Sequence, residues 1–368
     1  MITQEMKAIA EVCRRFAASA VSSGALEADM SADTKWAKSI WNKSMELGLP
    51  ALLVPENLDG TGQGTLCAVL VLDALAAECA GVASLFLHHY TACTGVLWGD
   101  PDQSGFFSQK IAGVIFPNED DATRLRLEMY KGSIRLSGKS PLTANAALAG
   151  SFILFVPEDE SGKRYSCLLV DRDAPGIAIG SNARLPGLKV YPFCSIGFDG
   201  VEIPETCFIG RQGDAYALYR RTLDLYFGLV AACAMGAART AYQRAFAYAR
   251  ERFQYGQLII KHQEIQRLLG NMHNKIAVGT AVYRDAFEQE DYGEPIPRLD
   301  GRAAKVFCTD AALEIALDAV QIHGGYGYMH DYCVEKIMRD VKVLQLLGGS
   351  SPALNIESIR EQLIMKEE

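Results

Sequence analysis

Near its C-terminus the chain reads Gln321-Ile322-His323-Gly324-Gly325-Tyr326-Gly327-Tyr328. Two adjacent glycines and a third two residues on carry no Cβ, so the backbone there can come close to something bulky. The same glycines also suit an ordinary turn between helices. A helical run follows through Arg339-Asp340 and closes on Leu347-Gly348-Gly349-Ser350-Ser351. Other chemistry-bearing groups are sparser. His88 and His89 are neighbours and leave a helix in different directions, which favours core or pocket-wall positions over a shared metal. Asp331 and Glu335, one helical turn apart, suit capping and solvation of a helix N-terminus better than paired acid and base work. The ten cysteines contain no C-x-x-C pair, hence no zinc or redox signature. Most sit in apolar settings such as Ala231-Ala232-Cys233-Ala234 and read as small buried hydrophobes, and free thiols of this kind suit a reducing cytoplasm.

The elements that must hold these groups follow from periodicity. Apolar residues step by three or four through Met6, Ile9, Cys13 and Phe16, and again through Ala37, Ile40, Trp41 and Met45, so both stretches predict amphipathic helices. Gly48 ends the second of these, and Pro50, Pro55 and the glycines of 57–64 make a connection. The stretches 65–79 and 82–90 are apolar nearly all round, which predicts the buried centre of an N-terminal helical domain. Near Ile111 the period changes to short β-rich runs at 111–116, 125–129, 134–136, 152–156 and 167–170, separated by Gly, Pro, Asp and Ser. Helical period returns from about Ala215, with helices expected near 216–251, 259–289, 299–321 and 331–347. The small-residue run Ala231 to Ala238 predicts close helix packing. The division is therefore 1–110 helical, 111–205 β and 206–368 helical, an α+β chain.

Composition narrows the function classes. With 368 residues and a hydrophobic share of 49%, the chain can bury a large core. A net charge of −8 without a lysine or arginine cluster argues against a nucleic-acid footprint. The N-terminal residues lack the order of a signal peptide, and no uncharged apolar run is long enough to span a bilayer.

Several stretches together carry a resemblance. Gln321 to Asp340, Arg252-Phe253-Gln254-Tyr255-Gly256, His262-Gln263, Glu46-Leu47-Gly48-Leu49, Val54-Pro55-Glu56 and Phe198-Asp199-Gly200-Val201-Glu202-Ile203-Pro204 resemble, in order, landmarks of the acyl-CoA dehydrogenase family. The resemblance covers nearly the whole chain. It implies an N-terminal helical domain, a middle β-barrel or sandwich and a C-terminal four-helix bundle. It also implies FAD as cofactor, an acyl-CoA thioester as substrate, an electron-transfer flavoprotein as acceptor, and a dimer or tetramer. In that family an Arg, a Gln and a Gln-x-x-Gly-Gly loop of one subunit hold the pyrophosphate and adenosine parts of the neighbouring subunit's FAD. By resemblance these are Arg252, Gln263, Gln321, Gly324 and Gly325.

The reaction the resemblance implies removes an α-proton and passes the β-hydrogen as hydride to flavin N5. An α-proton is poorly acidic, so a positioned carboxylate is needed, together with donors on the thioester oxygen where enolate charge develops. Counting from Arg339-Asp340 places the usual carboxylate position at Gly348, which cannot take a proton. The alternative position of some relatives falls on Tyr226, in Leu223-Asp224-Leu225-Tyr226-Phe227, and a tyrosine of ordinary pKa is a poor base at neutral pH. The flavin-ring loop after the first strand is replaced by Phe116-Pro117-Asn118-Glu119-Asp120-Asp121, whose acids would face a flavin that gains negative charge on reduction. The later ring motif keeps Gly138 and Asn145 but has Leu142-Thr143-Ala144 at the ring contacts; a shift of one residue would return Thr143 to the hydroxyl position.

Groups lent to a neighbour's FAD are kept, while those for the chain's own substrate and ring are missing. This pattern fits the base-less subunit of a hetero-oligomeric acyl-CoA dehydrogenase whose sibling carries the Glu. A homo-oligomeric flavoenzyme whose reaction needs no such base, of lyase type, and a non-enzymatic acyl-CoA binder are the alternatives.

Overall fold

Thr3 accepts a hydrogen bond from the Met6 N–H and so starts α1 (Gln4–Phe16), whose one apolar face buries Ala10 and Cys13. The computed structural model describes residues 2–117, 124–159, 163–291 and 301–364. Past a π-turn come α2 (Ser22–Ser31) and α3 (Thr34–Ser44), the latter capped by Asp33, which accepts from the Lys35 and Trp36 N–H groups. Gly48 adopts the left-handed φ of +68° that ends the segment, as its sequence position predicts. The apolar stretches form α4 (Thr65–Glu78) and α5 (Ala80–Gly99), broken at Cys79, and both are buried along most of their length. No helix among the described residues is long and apolar enough to cross a membrane.

All five predicted strands are present: β1 (Ala112–Ile115), β2 (Leu125–Tyr130), β3 (Ser133–Lys139), β5 (Ser151–Pro157) and β6 (Tyr165–Asp171). Sequence reading missed β4 (Thr143–Ala144), β7 (Ile177–Ile179), β8 (Phe193–Cys194) and β9 (Ile196–Ile203). Three of these have only two or three residues, too short to show a period. The strands make a sheet in the order β1-β5-β6, with β1 parallel to β5, and a second antiparallel sheet in the order β2-β3-β9-β7. Asn145 ties this β layer to the helices: in a left-handed conformation, φ 63°, its amide donates to the carbonyls of Leu85 on α5 and Ala112 on β1, each at 3.0 Å.

The C-terminal helices are α6 (Tyr216–Glu251), α7 (Gln263–Asp291), α8 (Gly301–His323), α9 (Val334–Leu346) and α10 (Ser351–Ile364), with a two-residue hairpin, β10 (Phe253–Gln254) and β11 (Gln257–Leu258), between α6 and α7. Sequence reading did not foresee α10. The small-residue run of α6 does bring backbones together, since a Cβ on Gly236 would lie 2.4 Å from the Asp73 carbonyl of α4. Beside it Arg239 grips Asp73 with two hydrogen bonds of 2.7 and 2.9 Å. Glu361 likewise joins α10 to Arg220 of α6 and Arg302 of α8.

One expectation is overturned. Glu335 does not solvate a helix end: it is 8% exposed and bridges His330 at 2.7 Å and Arg339 at 2.6 Å. Arg339 in turn holds Asp29 of α2 at 2.7 Å, so the carboxylate serves a network that locks α9 onto the N-terminal helices. Its i, i+4 spacing to Arg339 outweighed its place near a helix start.

Candidate functional site

The sequence-predicted site residues separate into two places. The first is a cavity of ≈400 Å³ where α6 ends and α8 passes into the glycine stretch. Arg252, Gln254, His323, Gly324, Gly325 and Tyr326 are among its lining residues. Arg252 caps α6 through its N–H to the Tyr248 carbonyl at 2.9 Å, and the chain then reverses through Tyr255 and Gly256, both of positive φ. This turn returns Ile259 to hydrogen-bond the Arg252 carbonyl at 2.8 Å, so the arginine backbone is fixed from both sides. Its guanidinium lies over the Tyr326 ring, 5.4 Å from the centroid. His323 stacks on Tyr248 at 4.4 Å and donates from Nδ1 to the Ala319 carbonyl at 2.8 Å. Burial pushes its pKa below the ordinary histidine value, so at neutral pH Arg252 supplies the positive charge of the cavity.

Gly324 adopts φ +59°, and a Cβ on either Gly324 or Gly325 would meet nothing within 4 Å, so the chain here is bordered by open space. Gln263, the first residue of α7, and Gln321, in the last turn of α8, are exposed and do not line the cavity. The structure thus gathers Arg252, Gly324 and Gly325 and leaves the two glutamines outside.

The second place joins the two expected base positions. Gly348 has φ +68° in the turn after α9, and a Cβ there would lie 2.7 Å from Phe227 and 2.9 Å from Tyr226. Gly348 itself is exposed. Lys305, buried on α8, holds the turn by donating to the carbonyls of Gln345 at 2.7 Å and Gly349 at 2.5 Å, and burial pushes its pKa down to about 8. Tyr226 is 3% exposed, and burial drives its hydroxyl pKa well above the ordinary tyrosine value. Its hydroxyl lies 3.2 Å from His88 Nε2, and His88 Nδ1 is 2.6 Å from the Tyr191 hydroxyl. Burial lowers the His88 pKa to about 4, so the whole triad is uncharged at neutral pH.

The neighbouring histidine does different work. His89 Nδ1 accepts the Ala112 N–H at 3.2 Å, which places its proton on Nε2, donating to the Pro50 carbonyl at 2.9 Å. The two rings take partners on different elements, as the sequence predicts, and both are buried in the core. Among the described residues no cluster of three or more His, Cys, Asp and Glu could hold a metal.

Sequence reading also missed the company Tyr226 keeps. Phe116 lies 5.3 Å from it and stacks on Phe155 at 5.8 Å with planes 4° apart. Tyr219 packs on Phe155 at 5.6 Å and stacks on Tyr165 at 4.7 Å. Tyr219 and Tyr226, seven apart, share a face of α6, a spacing that could have flagged the cluster. Thr143 is buried, and its hydroxyl is 3.0 Å from both Ser140 Oγ and the Pro141 carbonyl. Glu119, Asp120 and Asp121 lie outside the described residues.

Comparison with known proteins follows the same division. A profile described as "Acyl-CoA dehydrogenase, N-terminal domain" matches residues 3–113, and one described as "Acyl-CoA dehydrogenase, C-terminal domain" matches residues 217–364. An acyl-CoA dehydrogenase of Bacillus subtilis is 28% identical over 365 residues, 95% of this chain and 96% of that one. Cyclohexane-1-carbonyl-CoA dehydrogenase of Geobacter metallireducens is 26% identical over 389 residues, covering 99% and 98%. Among solved structures, butyryl-CoA dehydrogenase from Megasphaera elsdenii superposes with a TM-score of 0.91 at 22% identity, covering 99% of both chains. PigA, solved as an FAD complex, gives 0.90 at 19% identity over 100% of this chain and 99% of that one.

Proposed function

Because the chain belongs to the acyl-CoA dehydrogenase family, we propose that it is the base-less subunit of a hetero-oligomeric, FAD-dependent enzyme that desaturates an acyl-CoA thioester. The observation that carries this reading is a contrast in where side chains could go. At Gly324 and Gly325 a Cβ would enter open space, whereas at Gly348 it would strike two buried rings. The nucleotide-clasping end is open and the base position is shut.

FAD supplies a hydride acceptor in such a desaturation. Arg252 suits its pyrophosphate, because a guanidinium forks onto phosphate oxygens while Gly324 and Gly325, bare of Cβ, leave room for the same anion beside it. Gln263 and Gln321, exposed at the start of α7 and the end of α8, would add amides on the adenosine side. The flavin ring is another matter. Gly348 offers no proton acceptor, and Tyr226 keeps its proton at neutral pH. The carboxylate that takes the α-proton therefore belongs to a catalytic sibling chain. This chain completes the sibling's FAD site, in a dimer or tetramer that passes its electrons to an electron-transfer flavoprotein.

The test compares the purified chain with its complex. The chain alone is expected to be colourless, and the complex with the Glu-bearing sibling yellow and active. Stoichiometric FAD on the isolated chain would overturn the assignment.

A further inference from the structure

His323 is the imidazole of the cavity beside Arg252, and its two nitrogens are used unequally. Nδ1 is committed to the Ala319 carbonyl at 2.8 Å, one turn back on its own helix. Nε2, on the opposite edge of the ring, has no hydrogen-bond partner among the described residues. We propose that His323 is the second cation of the clasp, taking up a proton on Nε2 when the pyrophosphate of the sibling's FAD enters the cavity beside Arg252.

The placement makes the coupling follow. His323 is the last residue of α8 and stands directly before Gly324 and Gly325, and all three line the same ≈400 Å³ cavity as Arg252. Tyr248, one helical turn before Arg252, stacks on the imidazole at 4.4 Å, and Tyr332 meets it nearly edge-on at 5.6 Å. Held between two rings, the imidazole keeps its place at the cavity wall. A charge arriving in this half-enclosed space acts on it more strongly than the same charge in water.

Without an anion, the charge that bears on the ring is positive. Arg244 of α6 donates to the Tyr332 carbonyl at 3.3 Å, and Arg252 lines the cavity itself. On the turn that carries Tyr332, Asp331 is exposed, and His330 is tied at 2.7 Å to Glu335, which also holds Arg339. Burial, and then Arg244, keep the His323 pKa below its ordinary value, so the ring enters the encounter neutral at pH 7. A pyrophosphate brings two negative charges into the same space, which offsets the burial penalty and raises that pKa. Linkage then fixes the sign: FAD is held most weakly above the pKa of the loaded site, more tightly as pH falls, and with no further gain once the free ring is itself protonated.

The inference rests on the partner reading for its ligand and on His323 for its proton, and the measurements separate the two. The deflavinated complex of this chain with its Glu-bearing sibling is titrated with FAD in a calorimeter at pH 6, in two buffers of different ionisation heat, which counts protons. Dissociation constants are then measured from pH 5.5 to pH 7.5. A fraction of a proton taken up per FAD is expected, with a constant roughly three- to tenfold smaller at pH 5.5 than at pH 7.5. In His323→Gln both effects should vanish while FAD still binds. His323→Phe, which keeps a ring against Tyr248, replaces it where the glutamine variant does not fold. No uptake by the wild type, or equal uptake in wild type and variant, overturns the proposal and leaves the clasp standing. FAD held as tightly by the sibling alone removes the partner reading and the proposal with it. Stoichiometric FAD on the isolated chain removes the partner reading only, and the same two readouts on that chain then judge His323.

Discussion

Gly348 and Tyr226 are in contact across the chain: a Cβ on the glycine would stand 2.9 Å from the tyrosine Cε1. Restoring the missing acid at this turn therefore meets two obstacles, a φ of +68° and a ring already in the space. Gly348→Glu is expected to lower stability by roughly 2 kcal/mol or more, the sum of left-handed strain and overpacking. It should bring no dehydrogenase activity to the isolated chain. Denaturant midpoints and an acyl-CoA assay check both halves, and an active, fully stable variant would contradict the geometry.

Arg252 is half-buried, and its backbone rather than its guanidinium closes the hairpin. Arg252→Ala should leave the melting temperature of the isolated chain nearly unchanged. It should weaken FAD retention by the complex by about ten- to a hundredfold, the range for losing a charge-assisted hydrogen bond to an anion. Arg252→Lys should recover part of this, because a point charge cannot fork onto two oxygens. FAD dissociation constants for the three complexes decide it, and an unchanged constant in the alanine variant would remove Arg252 from the clasp.

Asn145 looks in the sequence like the remnant of a ring-binding motif, but the fold gives it a second reason to exist. It holds α5 to β1 with both amide protons, in a backbone conformation that asparagine tolerates better than most residues. Asn145→Asp removes the donors and sets a charge against two carbonyls. It should therefore destabilise the chain by at least as much as Asn145→Ala, on the order of 2–3 kcal/mol for a lost buried bonding group. Equal midpoints for the wild type and the aspartate variant would refute the strut.

The helices and longer strands were legible because period and length agree there: α6 runs from Tyr216 to Glu251, as its apolar spacing predicts. The clasp was legible in part, because glycine and arginine carry their use in their chemistry. Gln263 and Gln321 show the limit, since type and spacing could not say that both would stay outside the cavity. The aromatic stack around Tyr226 was hidden for a different reason. Phe116, Phe155 and Tyr226 stand on separate elements, and each alone reads as ordinary core. Only the packing of β1 and β5 against α6 turns them into one stack, and no local pattern records that.

His89 makes the fold sensitive to acid through one bond. Its Nδ1 must stay unprotonated to accept the Ala112 N–H, and burial lowers its pKa to about 4 from an ordinary value near 6.5. His88, buried beside Tyr226, is lowered to about 4 as well. Below the ordinary value the unfolded chain binds protons that the folded chain refuses, so stability is lost as pH falls from 6.5 toward 4 and is fully present above 6.5. Each ring can contribute up to roughly 3 kcal/mol across that window, before carboxylates add their own loss at lower pH. His89→Leu starts lower, because Ala112 N–H loses its acceptor, but its midpoint should fall less steeply over the same range. Urea midpoints for the two proteins at pH 7, 5.5 and about 4.5 give the slopes directly. Parallel slopes would mean that His89 takes up a proton in the folded chain, and the assignment of its tautomer would then be wrong.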